Sequence, residues 1–345
     1  MPQRLLEPIL KVTDYSLLSP DLVLDAVESC GYLSDARTLA LNSYENRVYQ
    51  VGIEDQLPII AKFYRPCRWS DQQIQEEHDY SWQLKDIEIP VVAPLKDKDG
   101  KTLFEYKGYK FALFPRQGGR TPELDYGDTL VQIGRFLGRI HAMGESKTFK
   151  HRPEINVETY GKQSVQWLLQ SGFIEEYLRP SYEAITQRVL EQVEQKFAEV
   201  GDYPRIRLHA DVHPSNILWR DNGPNDSGPH FVDLDDCRNG PAVQDLWMLL
   251  SGSRNEMQVQ LEDLLEGYEE FCHFDHRQLV LIEALRSLRM MHYAAWLGRR
   301  WDDPAFPVNF PWFNTTKYWE EHILTLKEQS SLLDELPLSL NSFNS

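Results

Sequence analysis

The pattern of apolar residues changes near residues 115–120, and this change limits the possible folds more than any other feature of the sequence. Between residues 38 and 64 apolar and polar residues alternate, which is typical of strands with one buried face. From residue 130 onward apolar residues recur at helical spacing. Because 345 residues suffice for two cores, we predict an α+β fold with a small antiparallel-sheet lobe (residues 1–116) and a larger, mainly helical lobe (residues 117–345).

Capping and turn residues define the elements of the first lobe. Pro20, in a Ser-Pro-Asp sequence, predicts the first turn of a helix that Gly31 ends. Ser70, with Gln73 three residues later, predicts a capping box for a second helix that reaches about residue 85. The predicted strands lie within residues 38–64 and at residues 91–93, 101–105 and 109–114.

The second lobe is predicted to be helical except for one segment. Besides the helix that begins near residue 130, the apolar spacing predicts helices at residues 182–200, 257–271, 276–297 and 318–333. Residues 205–240 lack this spacing and contain most of the candidate catalytic residues.

The charge of the chain excludes several classes of partner. The net charge is −17, from 36 Lys plus Arg against 53 Asp plus Glu. Such a field repels nucleic-acid phosphates and anionic lipid surfaces. We therefore expect neither nucleic acid nor membrane as a partner, and any anionic cofactor must be held by local donors and a metal ion.

The cysteines and the apolar runs are typical of a cytoplasmic protein. The four cysteines are far apart and form no CxxC pair, so the sequence indicates neither a zinc site nor a disulfide framework. The apolar runs are too short for a signal peptide or a membrane span.

A strand-turn-strand pattern carries the polar residues of residues 205–240. Asp211 and Asn216 lie five residues apart in HADVHPSN, and a short apolar strand follows them. Asp233 ends a second apolar strand, after a turn rich in Gly, Pro, Asn and Asp. We expect this hairpin to bring Asn216 close to Asp233.

These residue types and spacings are those of ATP-dependent phosphoryl transfer. The reaction needs a carboxylate that orients or deprotonates the acceptor hydroxyl, for which Asp211 is the candidate. Mg²⁺ needs oxygen ligands, for which Asn216 and Asp233 are candidates. An Asp followed by four residues and an Asn is also the spacing of the kinase catalytic loop. The predicted cofactors are therefore ATP and Mg²⁺.

The same segment has two simpler interpretations. An Asp and an Asn beside a strand usually form a turn with side-chain to backbone hydrogen bonds. His209 and His213, with Asp211 between them, are alternatively ligands of a zinc-dependent hydrolase. The sequence has no further His or Cys cluster that would complete such a site, so His209 is predicted to be a packed structural residue.

Lys62 is the candidate phosphate-binding lysine of the first lobe. It lies in IIAKFY, on a strand whose apolar residues alternate to the other face, and the next helix contains Glu76 and Glu77. A strand lysine paired with a helix glutamate grips the ATP phosphates in kinases. We choose Glu77 as the partner, with Glu76 as the alternative.

Five segments resemble kinases of the aminoglycoside phosphotransferase and choline kinase type, including bacterial stress-response protein kinases. The segments are LNSYENRVYQ (41–50), AKFYRP (61–66), HADVHPSNILWRD (209–221), FVDLDDCRNGPAVQDLWMLL (231–250) and RRWDDPAFPVNFPW (299–312). The resemblance implies a two-lobed protein-kinase-like fold and a monomeric, cytoplasmic serine/threonine kinase that phosphorylates protein substrates.

The resemblance also implies roles for individual residues. Asp211 would be the proton acceptor, and Asn216 and Asp233 the Mg²⁺ ligands, with Asp233 counted among the catalytic residues. Ser43 would belong to the nucleotide-covering loop and Lys62 would hold the phosphates. Adenine would bind near the backbone of residues 111–115.

The sequence departs from ordinary protein kinases at three points. The loop LNSYENRV has no GxGxxG pattern, so backbone N–H groups and side chains such as those of Ser43 and Asn46 must bind phosphate. Ala210 replaces the usual arginine before the catalytic aspartate. Only seven residues separate Asp233 from Pro241, which leaves no room for a long activation loop. We therefore predict activity without activation-loop phosphorylation.

Three further interpretations remain. Asp245 is predicted to anchor the catalytic loop from a following helix, with a simple acid at the start of that helix as the alternative. The acceptor is alternatively a small molecule, such as a choline-, homoserine- or aminoglycoside-type alcohol, which an acidic second lobe would suit. A non-catalytic nucleotide-binding pseudokinase is a further alternative, although Lys62, Asp211 and Asp233 are all present.

Overall fold

The computed structural model describes residues 13–221, 223 and 227–340, and the chain divides into two compact units after Gly118. The predicted α+β class is confirmed, because the first unit contains an antiparallel sheet and the second is mainly helical. The roles predicted for residues 1–116 and 117–345 as lobes of an enzyme stay predictions.

In its described part, from residue 13 onward, the first unit is a five-stranded antiparallel sheet with two helices. The strand order is β1-β2-β3-β5-β4. The strands are β1 (Ser34–Ala40), β2 (Arg47–Ile53), β3 (Ile59–Phe63), β4 (Phe104–Tyr106) and β5 (Tyr109–Pro115), and the helices are α1 (Pro20–Ser29) and α2 (Asp71–Asp86). Ala61 and Phe63 of β3 are fully buried in the core, whereas Lys62, between them, points to the other face of the sheet.

The predictions for the two helices of the first unit are confirmed, whereas its strands differ in part. β4 is Phe104–Tyr106 instead of residues 101–105, and β1 begins at Ser34, before the predicted range of residues 38–64. The capping box of α2 is present, since Gln73 N–H donates to Ser70 Oγ and Ser70 N–H donates to Gln73 Oε1. The strand predicted at residues 91–93 is wrong, because these residues belong to no strand of the sheet. Pro90 and Pro94 flank them, and proline cannot donate a ladder hydrogen bond.

The second unit consists of eight helices and two small antiparallel sheets within the described residues. The helices are α3 (Thr129–Glu145), α4 (Gln163–Ser171), α5 (Arg179–Val200), α6 (Val243–Trp247), α7 (Arg254–Tyr268), α8 (Ile282–Arg299), α9 (Ala305–Asn309) and α10 (Thr316–Leu333). The strands are β6 (Ile206–Leu208) paired with β9 (Arg238–Gly240), and β7 (Ile217–Asp221) paired with β8 (Ser227–Phe231). The predicted helix at residues 276–297 is divided, since His276–Leu281 is a 3-10 turn and α8 begins after it.

Glycines allow α3 and α7 to pack with their backbones in contact. A Cβ atom at Gly134 would collide with the carbonyl oxygen of Leu264, and one at Gly138 would collide with that of Tyr268. The close approach places His141 of α3 beside Tyr268 of α7. No helix among the described residues has the length and hydropathy needed to cross a bilayer.

Candidate active site

Asp245 fixes the backbone at the start of the candidate catalytic loop. This fully buried residue of α6 accepts the N–H of His209 at 2.9 Å and the N–H of Ala210 at 2.7 Å. Ala210 has a left-handed backbone, with φ of 70°, which is unfavourable for a residue with a Cβ atom. The predicted anchoring of the loop by Asp245 is confirmed, and it stabilises a strained conformation immediately before Asp211.

The buried His141 contacts the Asp245 carboxylate from α3. His141 Nε2 lies 3.1 Å from Asp245 Oδ2, and His141 Nδ1 lies 2.9 Å from the hydroxyl of Tyr268. The His141 ring therefore links Asp245 of α6 to Tyr268 of α7. The sequence analysis missed His141, although a histidine within the apolar stripe of α3 was an available signal.

The Asp211 carboxylate has partners on both oxygens. Arg289 of α8 donates from Nη2 to Oδ1 at 2.8 Å. Asn216 donates from Nδ2 to the backbone carbonyl of Asp211 at 2.9 Å and to Oδ2 at 3.3 Å. His213 Nε2 lies 3.5 Å from Oδ2. Arg289 was not predicted from the sequence, because it lies 78 residues further along the chain.

These contacts keep Asp211 ionised. Burial raises the pKa of the Asp211 carboxyl, but the contact with His213 and the charge of Arg289 outweigh burial, so the pKa lies below its ordinary value. A carboxylate with a lowered pKa is ionised at neutral pH and is a weak base, which suits a group that orients a hydroxyl and takes its proton late in the reaction.

The β7–β8 hairpin predicted from the sequence brings the two candidate magnesium ligands into neighbouring backbone segments. Val232, next to Asp233, donates its N–H to the carbonyl of Asn216 at 3.0 Å. Asp233 has a left-handed backbone, with φ of 59°. Because Asn216 Nδ2 faces Asp211, its amide oxygen is at the opposite end of the group and is the atom suited to a cation. An amide and a carboxylate oxygen fit Mg²⁺, which keeps several waters.

The histidines of the HADVH segment do not form a metal site of the zinc type. No three His, Cys, Asp or Glu side chains within the described ranges come together as ligands. His209 Nε2 instead lies 2.9 Å from the carbonyl oxygen of Val232, and the side chain is buried. His209 is therefore a packed residue that joins the loop to the end of the β7–β8 hairpin, as the sequence predicted.

The first unit pairs Lys62 with Glu77. Lys62 Nζ lies 3.5 Å from Glu77 Oε1, and the two side chains are only 8% and 4% exposed. Lys62 also lies over the ring of Tyr64, at 5.2 Å from its centroid. The structure thus places the chosen partner, Glu77, in contact with the lysine. The role of the pair in nucleotide binding stays a prediction.

Side chains, not glycines, shape the loop between β1 and β2. Ser43 Oγ donates to the carbonyl of Asn46 at 3.2 Å, and buried Asn46 accepts the N–H of Arg65 on Oδ1 at 3.1 Å. Arg65 also donates to the carbonyls of Tyr44 and Glu45. Asn46 therefore stabilises the loop itself, whereas a role of Ser43 in covering the nucleotide stays a prediction.

The fold and these two groups of residues define a phosphotransferase of the kinase type. Residues 37–281 match the model of the phosphotransferase enzyme family, and the chain belongs to this family. It is 45% identical over 326 residues to "Stress response kinase A" of Escherichia coli (strain K12). The aligned residues cover 94% of this chain and 97% of the relative. It is 44% identical, with the same coverage, to "Serine/threonine protein kinase RdoA" of Salmonella typhimurium (strain LT2).

Solved structures of small-molecule kinases share the fold. A microcompartment-associated aminopropanol kinase aligns with a TM-score of 0.67 and 19% identity, over 92% of this chain and 97% of that chain. The amicoumacin kinase hAmiN, solved in complex with AMP-PNP, Ca²⁺ and Ami, aligns with a TM-score of 0.68 and 19% identity, over 89% of this chain and 91% of that chain. At this identity the likeness concerns the fold alone.

Proposed function

We propose that this chain transfers the γ-phosphate of ATP to serine and threonine hydroxyls of proteins in a bacterial stress response. The observation that carries the proposal is the Asp211 carboxylate, which is ionised and held by Asn216 and Arg289. The acceptor oxygen bonds to the γ-phosphorus as the bond to the bridging oxygen of ADP breaks. The hydroxyl proton passes to Asp211.

The remaining predicted residues bind the nucleotide and the metal ion. Lys62 would neutralise phosphate oxygens, and Glu77 would hold the ammonium group in place. Asn216 and Asp233 would bind Mg²⁺, which, when bound, takes up charge on the phosphates. Ser43, in the loop after β1, would cover the nucleotide. No residue of this set needs a phosphorylated activation loop.

The protein acceptor is supported by the names of the relatives, since the Salmonella protein at 44% identity is called a serine/threonine protein kinase. A cytoplasmic location and a monomeric state are part of the proposal and rest on the resemblance of the sequence alone.

A small-molecule acceptor is the second candidate function. Two observations favour it: the segment from Asp233 to Pro241 is too short for the peptide platform of ordinary protein kinases, and the similar solved structures include an aminopropanol kinase and an amicoumacin kinase. Asp and Glu also outnumber Lys and Arg in residues 119–345. The resulting net negative charge attracts a cationic acceptor from a distance.

Transfer of labelled phosphate from ATP distinguishes the two candidates. The wild type is incubated with Mg²⁺ and either a dephosphorylated protein mixture or a panel of choline, aminopropanol, homoserine and aminoglycosides. The proposal expects label on Ser and Thr of proteins. Label on metabolites alone favours the second candidate, and no transfer to either favours a pseudokinase.

Variants test the proton acceptor in the same assay. Asp211→Asn is expected to lower turnover by roughly 10²- to 10⁴-fold, whereas the exposed Asp302→Asn serves as the matched control. Unchanged turnover of Asp211→Asn would remove Asp211 from this role.

A further inference from the structure

We propose that Arg289 selects the acceptor, because its guanidinium occupies the position beside Asp211 that the ammonium group of a cationic acceptor would take. The preferred acceptor is then a hydroxyl flanked by neutral or acidic groups. The inference rests on the proposed function of Asp211 as proton acceptor and names the class of substrate for that site.

Arg289 reaches Asp211 from a different part of the unit. It lies on α8, and its Nη2 is 2.8 Å from Asp211 Oδ1. The Arg289 side chain is 37% exposed and that of Asp211 is 21% exposed, so an acceptor approaching the carboxylate meets the guanidinium as well. The other carboxylate oxygen already has Asn216 and His213 as partners. The chain itself therefore supplies the positive charge that this carboxylate attracts.

Asp236, a second carboxylate near Asp211, also forms an ion pair with an arginine, Arg238. Arg238 Nη2 lies 3.2 Å from Asp236 Oδ1, and the Arg238 guanidinium lies 5.1 Å from the centroid of the Tyr160 ring. Tyr160 stacks at 4.1 Å on His292, which follows Arg289 by three residues on α8. Asp211 and Asp236 are thus each paired with an arginine of the same unit.

The local charge outweighs the acidic field of the whole chain. The net charge of −17 attracts cations from a distance, but salt screens that attraction within about 8 Å at physiological ionic strength. A guanidinium a few ångströms from the reacting hydroxyl acts inside this distance. We therefore expect Arg289 to lower the efficiency with a cation-flanked acceptor by roughly 10- to 100-fold, mainly through KM.

The test uses short peptides that contain one serine flanked on both sides by Gln, Glu or Lys, and it measures kcat and KM with saturating Mg²⁺-ATP. The wild type is expected to prefer the Gln and Glu peptides to the Lys peptide by about 10-fold or more. Arg289→Gln is expected to lower this ratio at least several-fold through KM for the Lys peptide, and Arg289→Lys, which keeps a cation, is expected to retain most of it.

Arg135→Gln is the matched control, because Arg135 forms an ion pair of the same 2.8 Å length with Glu270 at the surface of the same unit. Arg135→Gln should leave the ratio between the Gln or Glu peptides and the Lys peptide unchanged. The control thus separates the general effect of losing a surface arginine from the effect of losing the guanidinium beside Asp211. An unaltered ratio in Arg289→Gln would overturn the proposal. A wild-type preference for the Lys peptide would overturn it even if the variants did not fold.

The design separates this inference from the proposed function. If the wild type labels no peptide or protein but labels small alcohols, the protein acceptor is wrong. The effect of Arg289 is then measured as the ratio of kcat/KM for cationic 1-amino-2-propanol to kcat/KM for neutral 1,2-propanediol. If Asp211→Asn retains full turnover, the proton-acceptor role fails, whatever Arg289 does.

Discussion

Asp245 and Ala210 are joined by a 2.7 Å hydrogen bond between a carboxylate that is fully buried and an amide whose residue has a left-handed backbone. A left-handed alanine costs about 1–2 kcal/mol, and a hydrogen bond to a charged group contributes about 1.5–3 kcal/mol. Since Asp245 also accepts the N–H of His209, the carboxylate offsets the strain. Asp211 is the next residue along this backbone.

Asp245→Asn should damage both stability and turnover. The asparagine oxygen can accept one of the two N–H groups, but its NH₂ group then faces the other donor. We expect a loss of about 2–3 kcal/mol in the free energy of unfolding and a fall in kcat of roughly 10²-fold as Asp211 loses its position. Urea unfolding and labelled-ATP transfer measure the two effects, and a fully active, fully stable variant would contradict the anchoring role.

The proposed magnesium ligands make a separate prediction. Asp233→Asn removes a negative charge and should raise the Mg²⁺ concentration for half-maximal transfer by about 10-fold or more. A Mg²⁺ titration at fixed ATP measures this shift. Asp221→Asn, at an exposed position of the same hairpin, is the matched control. Identical titration curves for wild type and Asp233→Asn would contradict the assignment.

Lys62 and Glu77 can be tested for stability and function separately. Lys62→Met removes the ammonium group that lies 3.5 Å from the buried Glu77 carboxylate, so we expect the free energy of unfolding to fall by about 3–5 kcal/mol. The double variant Lys62→Met/Glu77→Leu should recover most of this stability but bind ATP no better than Lys62→Met. Thermal unfolding and binding of a fluorescent ATP analogue provide the two readouts. Normal ATP binding by the double variant would show that the pair is only structural.

The sequence predicted those parts of the candidate site whose residues lie close to one another along the chain. The polar residues that flank two short apolar runs indicated the β7–β8 hairpin, and the hairpin in turn placed Asn216 near Asp233. The strand position of Lys62 and the helix that follows it made Glu76 and Glu77 the candidate partners. Choosing between those two needed the orientation of the helix, which a single sequence does not determine.

Long-range partners could not be predicted in this way. Arg289 lies on α8, a helix that its apolar spacing predicts, but nothing in that spacing points to a residue 78 positions earlier. The 3-10 turn at His276–Leu281 also escaped prediction, because its apolar spacing is close to that of an α-helix. We attribute both the Arg289–Asp211 contact and the 3-10 turn to packing against other elements instead of the conformational preference of the local sequence.

Gly138→Ala tests whether the close packing of α3 and α7 supports the loop. An added methyl group would collide with the carbonyl of Tyr268, and overpacking of this kind costs typically 1–3 kcal/mol. Because Tyr268 contacts His141, which contacts Asp245, kcat should fall as well. Gly172→Ala is an unsuitable control, since Gly172 has φ of 80°. Gly118→Ala, where a Cβ meets no atom within 4 Å, is the suitable one.

His322 makes the unfolding free energy of the second unit depend on pH. Its ring is buried on α10, stacks against Tyr182 and Tyr318, and its Nε2 has no hydrogen-bond partner among the described residues. Burial lowers the pKa of His322 to about 4. Below the unfolded-state pKa of about 6.5 the unfolded chain binds a proton that the folded chain does not, so this contribution to stability is complete above pH 6.5 and is lost as the pH falls.

Between pH 7 and pH 5 the loss from His322 should be about 2 kcal/mol, at roughly 1.4 kcal/mol for each pH unit below 6.5. His322→Phe keeps an aromatic ring in the stack but cannot bind the proton, so its unfolding free energy should fall less over the same interval. Urea unfolding at pH 7, 6 and 5 measures the difference, with exposed His273→Gln as the control. Parallel pH dependence of wild type and His322→Phe would show that His322 gains its proton in the folded chain as readily as in the unfolded one.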